Sequence, residues 1–211
     1  MNVFYIDYET TGLNPYSSEV IEIAIKKKGC EKGYSDLIKP ETSKYGPFKY
    51  VPPHIVEITK ITDDMIINDG IPIHEAFRNM YSYMTSYCDN TEKPIYLIAH
   101  NGTVFDFIIF KRLLKIHGKQ TRSLVNFYKR IQYIDTVLLA KLFMKDDKVN
   151  QKRLCSIHRI VNENEHRAMG DVIALEKLFE KLCLHYSYMK GKSSNYYYDH
   201  LNEIVEDINI L

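Results

Sequence analysis

Apolar and polar positions recur with two different periods along this chain, and each period predicts its own elements. Val3-Phe4-Tyr5-Ile6 opens an apolar run with Gly12 as its stop, which reads as a buried strand. From Glu19 to Lys26, Val20, Glu22 and Ala24 alternate with Ile21, Ile23 and Ile25, the period of a second strand. A third strand is expected over Gly33 to Ile38, stopped by Pro40, and residues 40–53 read as a proline-bearing loop. Thr62 is placed to cap a short helix carrying Asp63 and Asp64 in its first turn. Ile73, Phe77, Met80, Tyr81, Met84 and Tyr87 then recur at helical spacing. Pro94 to Ala99 is almost wholly apolar, like a strand covered on both faces. A helix from Phe105 to His117 follows, with Gly118 as its stop, then a strand over 127–134 and a helix from Thr136 to Lys145. Leu154, Ile157, Ile160 and Val161 mark another helix, ended by Asn162 to Glu165. Val172, Leu175, Leu178, Phe179 and Leu182 mark a longer one. The pattern returns weakly at Leu201, Ile204, Val205, Ile208 and Leu211, so residues 190–211 read as a helical tail packing on the rest. Three strands followed by alternating helices and strands predict one α/β domain over 1–211, a mixed central sheet flanked by helices on both faces.

Length and composition fit that architecture. A chain of 211 residues, 45% hydrophobic and 26% charged, is long enough to bury a core without staples. Lys and Arg number 28 against 27 Asp and Glu, a formal charge of +1, so no overall basic field draws in a polyanion. A nucleic-acid partner would be held by local cations, metal ions and stacking. Lys26-Lys27-Lys28 and Lys111-Arg112 read as solvated charges rather than a nucleic-acid track. Tyr196-Tyr197-Tyr198 reads as a docking segment of the tail rather than a stacking platform. Cys30, Cys88, Cys155 and Cys183 form no C-x-x-C pair, which suits reduced thiols and a cytoplasmic or nuclear setting. No run approaches the ~20 apolar residues of a membrane span. The first strand starts so close to Met1 that no leader segment is expected.

Three stretches carry chemistry. Asp7 and Glu9 fall on one face of the first strand, their Cα atoms roughly 7 Å apart. Alone, such a pair reads as two solvated acids at a fraying strand end. Ala99 to Asp106 lies at the carboxyl end of the buried strand, the edge where open α/β sheets bind ligands. Asp106 alone reads as an acid at a helix N-terminus. His166-Arg167-Ala168-Met169-Gly170-Asp171 leads into the long helix, with Asp171 in its first turn and His166 just ahead. Four carboxylates and a histidine, all at element ends, form a more demanding coincidence. Crowded carboxylates stay ionised comfortably only with a cation between them.

In order and spacing these stretches resemble the motifs of the DEDDh exonucleases, the DnaQ-like superfamily on a ribonuclease H-like fold. The resemblance runs from residue 3 to about residue 182. Asp7-x-Glu9-Thr10-Thr11-Gly12-Leu13 is similar to the first motif. His100-Asn101-Gly102-Thr103-Val104-Phe105-Asp106 has the form H-N-G-x-x-F/Y-D, and His166-x-Ala168-x-Gly170-Asp171-Val172 the form H-x-A-x-G-D-V. These two, with Arg153-Leu154-Cys155-Ser156-Ile157 ahead of the third motif, look most like the three-prime repair exonuclease (TREX) branch. The histidine stands five residues before the last aspartate, and Arg167 occupies the place where the sister subclass carries tyrosine.

The resemblance implies a metal-dependent 3′→5′ exonuclease that hydrolyses phosphodiester bonds from the 3′ end of single-stranded or frayed DNA, releasing nucleoside 5′-monophosphates. A 3′→5′ exoribonuclease is the alternative. A non-catalytic nucleic-acid-binding or polymerase-associated module would have no use for four crowded carboxylates. Two Mg²⁺ or Mn²⁺ ions, roughly 3.5–4 Å apart, are implied on Asp7, Glu9, Asp106 and Asp171. Asp7 would bridge both ions, Glu9 and Asp171 attend the water-side ion, and Asp106 act partly through bound water. His166 is implied as general base, since an imidazole titrates near neutral pH. Thr10, Thr11 and Leu13 are implied to hold the terminal 3′-OH and wedge beside its base, with Ile58, Asn101 and Phe105 completing the substrate contacts. Lys60 stands where the related segment I-T-G-I/L-S/T has glycine, so either the turn differs or the lysine meets a phosphate. No proline-rich insertion and no long hydrophobic carboxy-terminal extension is present, so neither recruitment through such a segment nor membrane tethering is expected. A homodimer through a sheet edge, with residues 33–38 as the candidate strand, is compatible with the branch.

Overall fold

The computed structural model describes residues 1–41, 49–88, 92–118, 122–145 and 149–210. Half of the expected 40–53 loop, residues 42–48, and Leu211 lie outside that set. Strands β1 (Asn2–Thr10), β2 (Val20–Lys27), β3 (Tyr34–Lys39), β4 (Ile71–Pro72), β5 (Ile95–Ala99) and β6 (Ile131–Asp135) form one sheet in the order β4-β3-β2-β1-β5-β6. β1 pairs antiparallel with β2, and β2 with β3, whereas β1–β5, β5–β6 and β3–β4 are parallel. The sheet is mixed, and its central strand carries the first motif.

Alternation along β1 sorts the core into two layers. Val3 and Tyr5 face a cluster built on α6 (Thr136–Lys141), α7 (Gln151–Ile157) and α8 (Ala168–Met189). Phe4, Ile6 and Tyr8 face a second cluster built on α3 (Ile73–Ser86), α4 (Asp106–His117) and α5 (Arg122–Lys129). Helices therefore cover both faces, which explains why β1, β2 and β5 are buried almost throughout. Odd-numbered Asp7 and Glu9 share the α8 face with Val3 and Tyr5. The tail forms α9 (Tyr196–Asp199) and α10 (Leu201–Ile208), and buries Tyr197, Leu201, Ile204 and Ile208 in the α8 layer. A smaller cluster joins Ile21 to α1 (Pro53–Thr59) and α2 (Asp63–Asp69).

Several expectations change. Residues 127–129 close α5 rather than open a strand. Phe127 and Tyr128, residues at home in sheets, instead pack edge-on or tilted against Tyr81 of α3. The helix begun at Thr136 ends at Lys141 in a tightened turn, with the Leu142 and Phe143 N–H groups donating to the Leu139 and Ala140 carbonyls, three residues back, at 3.2 Å. α7 stops at Ile157 because Arg159 adopts φ 55°, a left-handed reversal that ends the helical repeat before Ile160. Thr62 caps α2 as expected, accepting the Met65 N–H at 3.3 Å. Lys60 ends α1 in the left-handed region, φ 61°, so the turn that favours glycine is kept and lysine bears its strain. Its Nζ donates to the Glu57 carbonyl.

The basic runs are not simply solvated. Lys26 is buried in an ion pair with Glu176. The Lys28 ammonium sits 3.4 Å from the centroid of Tyr198, and that of Lys111 sits 4.5 Å from Tyr133. Arg112 donates to the Ser18 carbonyl at 2.7 Å. β3 is not the outermost strand, since β4 pairs beyond it at Ile38 and Lys39. The four cysteines are free thiols. Among the described residues, no helix is long and apolar enough to cross a membrane.

Candidate active site

Two elements deliver acids to one point, and a third brings one alongside. β1 carries Asp7 and Glu9 out on the α8 face, and α8 begins so that Asp171 stands in its first turn. One carboxylate oxygen from each of Asp7, Glu9 and Asp171 lies within 4.8 Å of the other two. Among the described residues this is the one such group of potential metal ligands. Asp106, the first residue of α4, approaches from the opposite layer. It is 4% exposed, and its Oδ1 accepts the Tyr8 N–H at 3.2 Å, on the strand between Asp7 and Glu9.

Burial and mutual repulsion dominate the electrostatics. The Asp7 carboxyl is held well above the usual carboxylate range, first by desolvation, then by the charges of Asp106, Glu9 and Asp171. Glu9 is pushed up to about 8, by burial first and then by Asp171 and Glu22, with Arg167 opposing. Burial raises Asp106 to about 7 and Asp171 to about 6, the latter restrained by His166 and Asn162. Hard oxygen donors, crowded and reluctant to ionise, match what a divalent cation takes. The donor set therefore fits a divalent metal ion.

Both oxygens of Asp171 are oriented. Oδ1 accepts the Asn162 amide at 2.7 Å, and Oδ2 the His166 N–H at 3.0 Å, while Gln151 donates to the Asp171 carbonyl at 2.9 Å. His166 has φ 63°, and its imidazole is half exposed with Nε2 3.9 Å from Glu165 Oε1. The loop closes so tightly that a Cβ at Gly170 would meet the Asn164 carbonyl oxygen at 2.3 Å, which only glycine allows. A cleft of about 710 Å³ opens here, lined by Asp7, Glu9, Gln151, Asn162, His166 and Asp171 among others.

The remaining candidates lie outside that lining. Thr10 Oγ1 donates to the Gly12 carbonyl at 2.6 Å, and Thr11 Oγ1 accepts the Glu19 N–H at 3.0 Å, so both hydroxyls shape the turn after β1. Leu13 is 90% exposed and Ile58 48%, so both present apolar surface to solvent. Phe105 is half-buried against the α4 layer, and Asn101 is exposed with φ 62°. Asp135, at the end of β6, fixes the second motif: its carboxylate accepts the N–H groups of Asn101, Thr103 and Val137 at 2.8–2.9 Å.

Sequence reasoning missed Asp135, Gln151, Asn162 and Glu22. Glu22 is 3% exposed and binds both Arg167 and the Ala168 N–H. The signal was an acid among isoleucines in β2, where a buried charge needs a partner.

A family model described as RNase_T, exonuclease, matches residues 4–179. The chain is 27% identical over 204 residues to "Exonuclease DPD1, chloroplastic/mitochondrial" of Arabidopsis thaliana, covering 87% of this chain and 57% of that protein. It is 26% identical over 196 residues to DNA polymerase III subunit epsilon of Treponema pallidum, covering 90% of this chain and 80% of that one. Among solved structures, E. coli exonuclease I in complex with a dA16 oligonucleotide superposes with a TM-score of 0.64 at 19% identity, over 85% of this chain and 40% of that one. The chain thus spans little more than half of the plant relative and less than half of exonuclease I. At that identity the likeness to exonuclease I is one of fold, the mixed ribonuclease H-like sheet described above. With the family match running from β1 into α8 and so across all three acidic motifs, this chain belongs to the RNase_T exonuclease family and is a DEDD-type nuclease.

Proposed function

We propose that the chain removes nucleotides one at a time from the 3′ end of single-stranded or frayed DNA, releasing nucleoside 5′-monophosphates. The reading rests on one observation above all: oxygens of Asp7, Glu9 and Asp171 lie within 4.8 Å of one another, with buried Asp106 alongside. These four residues would hold two divalent cations, Mg²⁺ or Mn²⁺. Such ions, when bound, supply positive charge beside the attacking and leaving oxygens of a phosphodiester.

The protein's own groups do the rest. His166, on the cleft rim, takes the proton of the attacking water, and its exposed ring can pass that proton to solvent. Asn162 and the His166 N–H hold Asp171 in one orientation. Exposed Leu13 and Ile58 offer apolar faces to the terminal base, and backbone around Thr10 and Thr11 receives the 3′-OH. Phe105 and Asn101 flank the Asp106 side. The relatives support a DNA substrate, being named as an exonuclease and a DNA polymerase III subunit. We read the second and third motifs as most similar to those of the TREX branch.

A 5′-labelled DNA strand tests this. With Mg²⁺ or Mn²⁺ it should shorten stepwise from the 3′ end and yield 5′-monophosphates, and with EDTA it should stay intact. Faster digestion of RNA of the same sequence would replace the DNA reading with the ribonuclease one. Loss of the 5′ label in the first turnovers would overturn the direction.

A further inference from the structure

Glu22 and Arg167 are joined by a contact that none of the motifs explains. The Arg167 guanidinium grips the Glu22 carboxylate through two nitrogens, Nη2 at 2.6 Å from Oε1 and Nε at 3.2 Å from both oxygens. Glu22 Oε2 also accepts the Ala168 N–H at 2.8 Å. That N–H is the first of the 22-residue α8, one of the donors a helix leaves without an internal partner, and Arg167 at the N-cap supplies no side-chain acceptor. A carboxylate there also meets the positive end of the helix dipole. So one buried acid both caps α8 and holds the residue before it.

Its placement ties the two halves of the site. Glu22 lies directly opposite Glu9 across the β1–β2 ladder, on the α8 face of the sheet. Two acids facing each other across a ladder repel, and Arg167 relieves this by pairing with Glu22. Arg167 is also the residue between His166 and Ala168. The left-handed His166, whose N–H reaches Asp171 Oδ2, is therefore fixed one residue from an anchor on the strand paired to β1.

We infer that Glu22 and Arg167 form a positioning pair that registers the His166–Asp171 loop against the acids of β1. This rests on the roles of His166 and Asp171 proposed above, and the pair touches neither substrate nor metal. Loss of groups that orient a metal site's ligands typically costs 10- to 100-fold in activity. Substitution here should act on turnover rather than on binding of the strand end.

The test measures kcat and KM on labelled single-stranded DNA with Mn²⁺, and amide hydrogen exchange, for wild type, Arg167→Ala, Arg167→Lys and Glu22→Gln. Arg167→Ala should lower kcat about 10- to 100-fold with KM little changed. The His166 amide should exchange at least about tenfold faster, while Leu175 and Phe179 inside α8 keep their protection. Arg167→Lys should recover part of the turnover by restoring the charge. Glu22→Gln keeps an acceptor for the Ala168 N–H but loses the ion pair, and should resemble Arg167→Ala. Wild-type turnover and unchanged His166 exchange in Arg167→Ala would overturn the inference. So would equal loss of protection along α8, the mark of a merely structural bridge. If wild type hydrolyses nothing while His166 exchange responds as stated, the catalytic reading of His166 falls and the positioning pair stands.

Discussion

His166 combines a strained backbone with an exposed ring, φ 63° and half its side chain in solvent. A ring so placed contributes little packing, so its removal should separate chemistry from stability. We expect His166→Ala to lose about 10²- to 10⁴-fold in kcat, the usual worth of a positioned base. Its melting temperature should stay within about 2 °C of wild type, because surface substitutions rarely exceed ~0.5 kcal/mol. Nuclease assays paired with calorimetry check both halves, and unchanged hydrolysis would refute the assignment. Lys60 shows strain without such an exposed, unpacked ring. Its left-handed φ of 61° costs an L-residue about 1 kcal/mol, so Lys60→Gly should stabilise the protein by roughly that amount in denaturant unfolding. At this scale the acids and the histidine were legible because each stands in a spaced motif. Glu22 and Asp135 were not, because what they do depends on partners 145 and 34 residues away, which no local pattern specifies.

Elements were read well where burial was symmetrical and poorly where the chain reverses. β1 and β5 announce themselves as apolar runs because helices cover both faces of the sheet. The repeats at Leu154 and Ile157 continue into Ile160 and Val161 in sequence, yet the left-handed Arg159 ends α7 between them, a feature arginine does not signal. The tail was legible from its apolar spacing, and its packing sets a clear expectation. Ile204 of α10 is fully buried in the α8 layer. Ile204→Ala should cost about 2–5 kcal/mol in denaturant unfolding, the range for a truncated core side chain. Turnover at 25 °C should be unaffected, since α10 contributes nothing to the cleft lining. A matching fall in kcat would show that the tail does more than pack.

For the whole molecule, the acidic cluster sets how stability responds to pH. Folded carboxyl pKa values of about 8, 7 and 6 for Glu9, Asp106 and Asp171 lie above the ~4 of an unfolded chain. Between those values the folded state binds more protons at these three acids, so the stability they contribute is full below about pH 4 and is lost as pH rises towards 8. Binding of Mn²⁺ to these acids, as proposed, would release those protons, and the gain in melting temperature from Mn²⁺ over EDTA should grow from pH 5 to pH 8. A metal-free melting temperature that climbs across that window would contradict the crowded-acid arrangement.

The internal use of cations has a consequence for ionic strength. Lys26 is committed to Glu176, Lys28 and Lys111 to tyrosine rings, and Arg112 to a backbone carbonyl. Side chains engaged in this way displace few counterions from a polyanion. Each phosphate neutralised on a single strand contributes about −0.7 to the slope of log affinity against log salt. For this nuclease the slope should stay shallower than about −2, equivalent to no more than about three phosphates. Fluorescence-anisotropy titrations of an oligonucleotide, with Ca²⁺ replacing the catalytic ion and KCl varied, read it directly. If the strand end is held by shape and apolar contact as proposed, turnover should persist in brine that would strip a charge-driven binder from DNA.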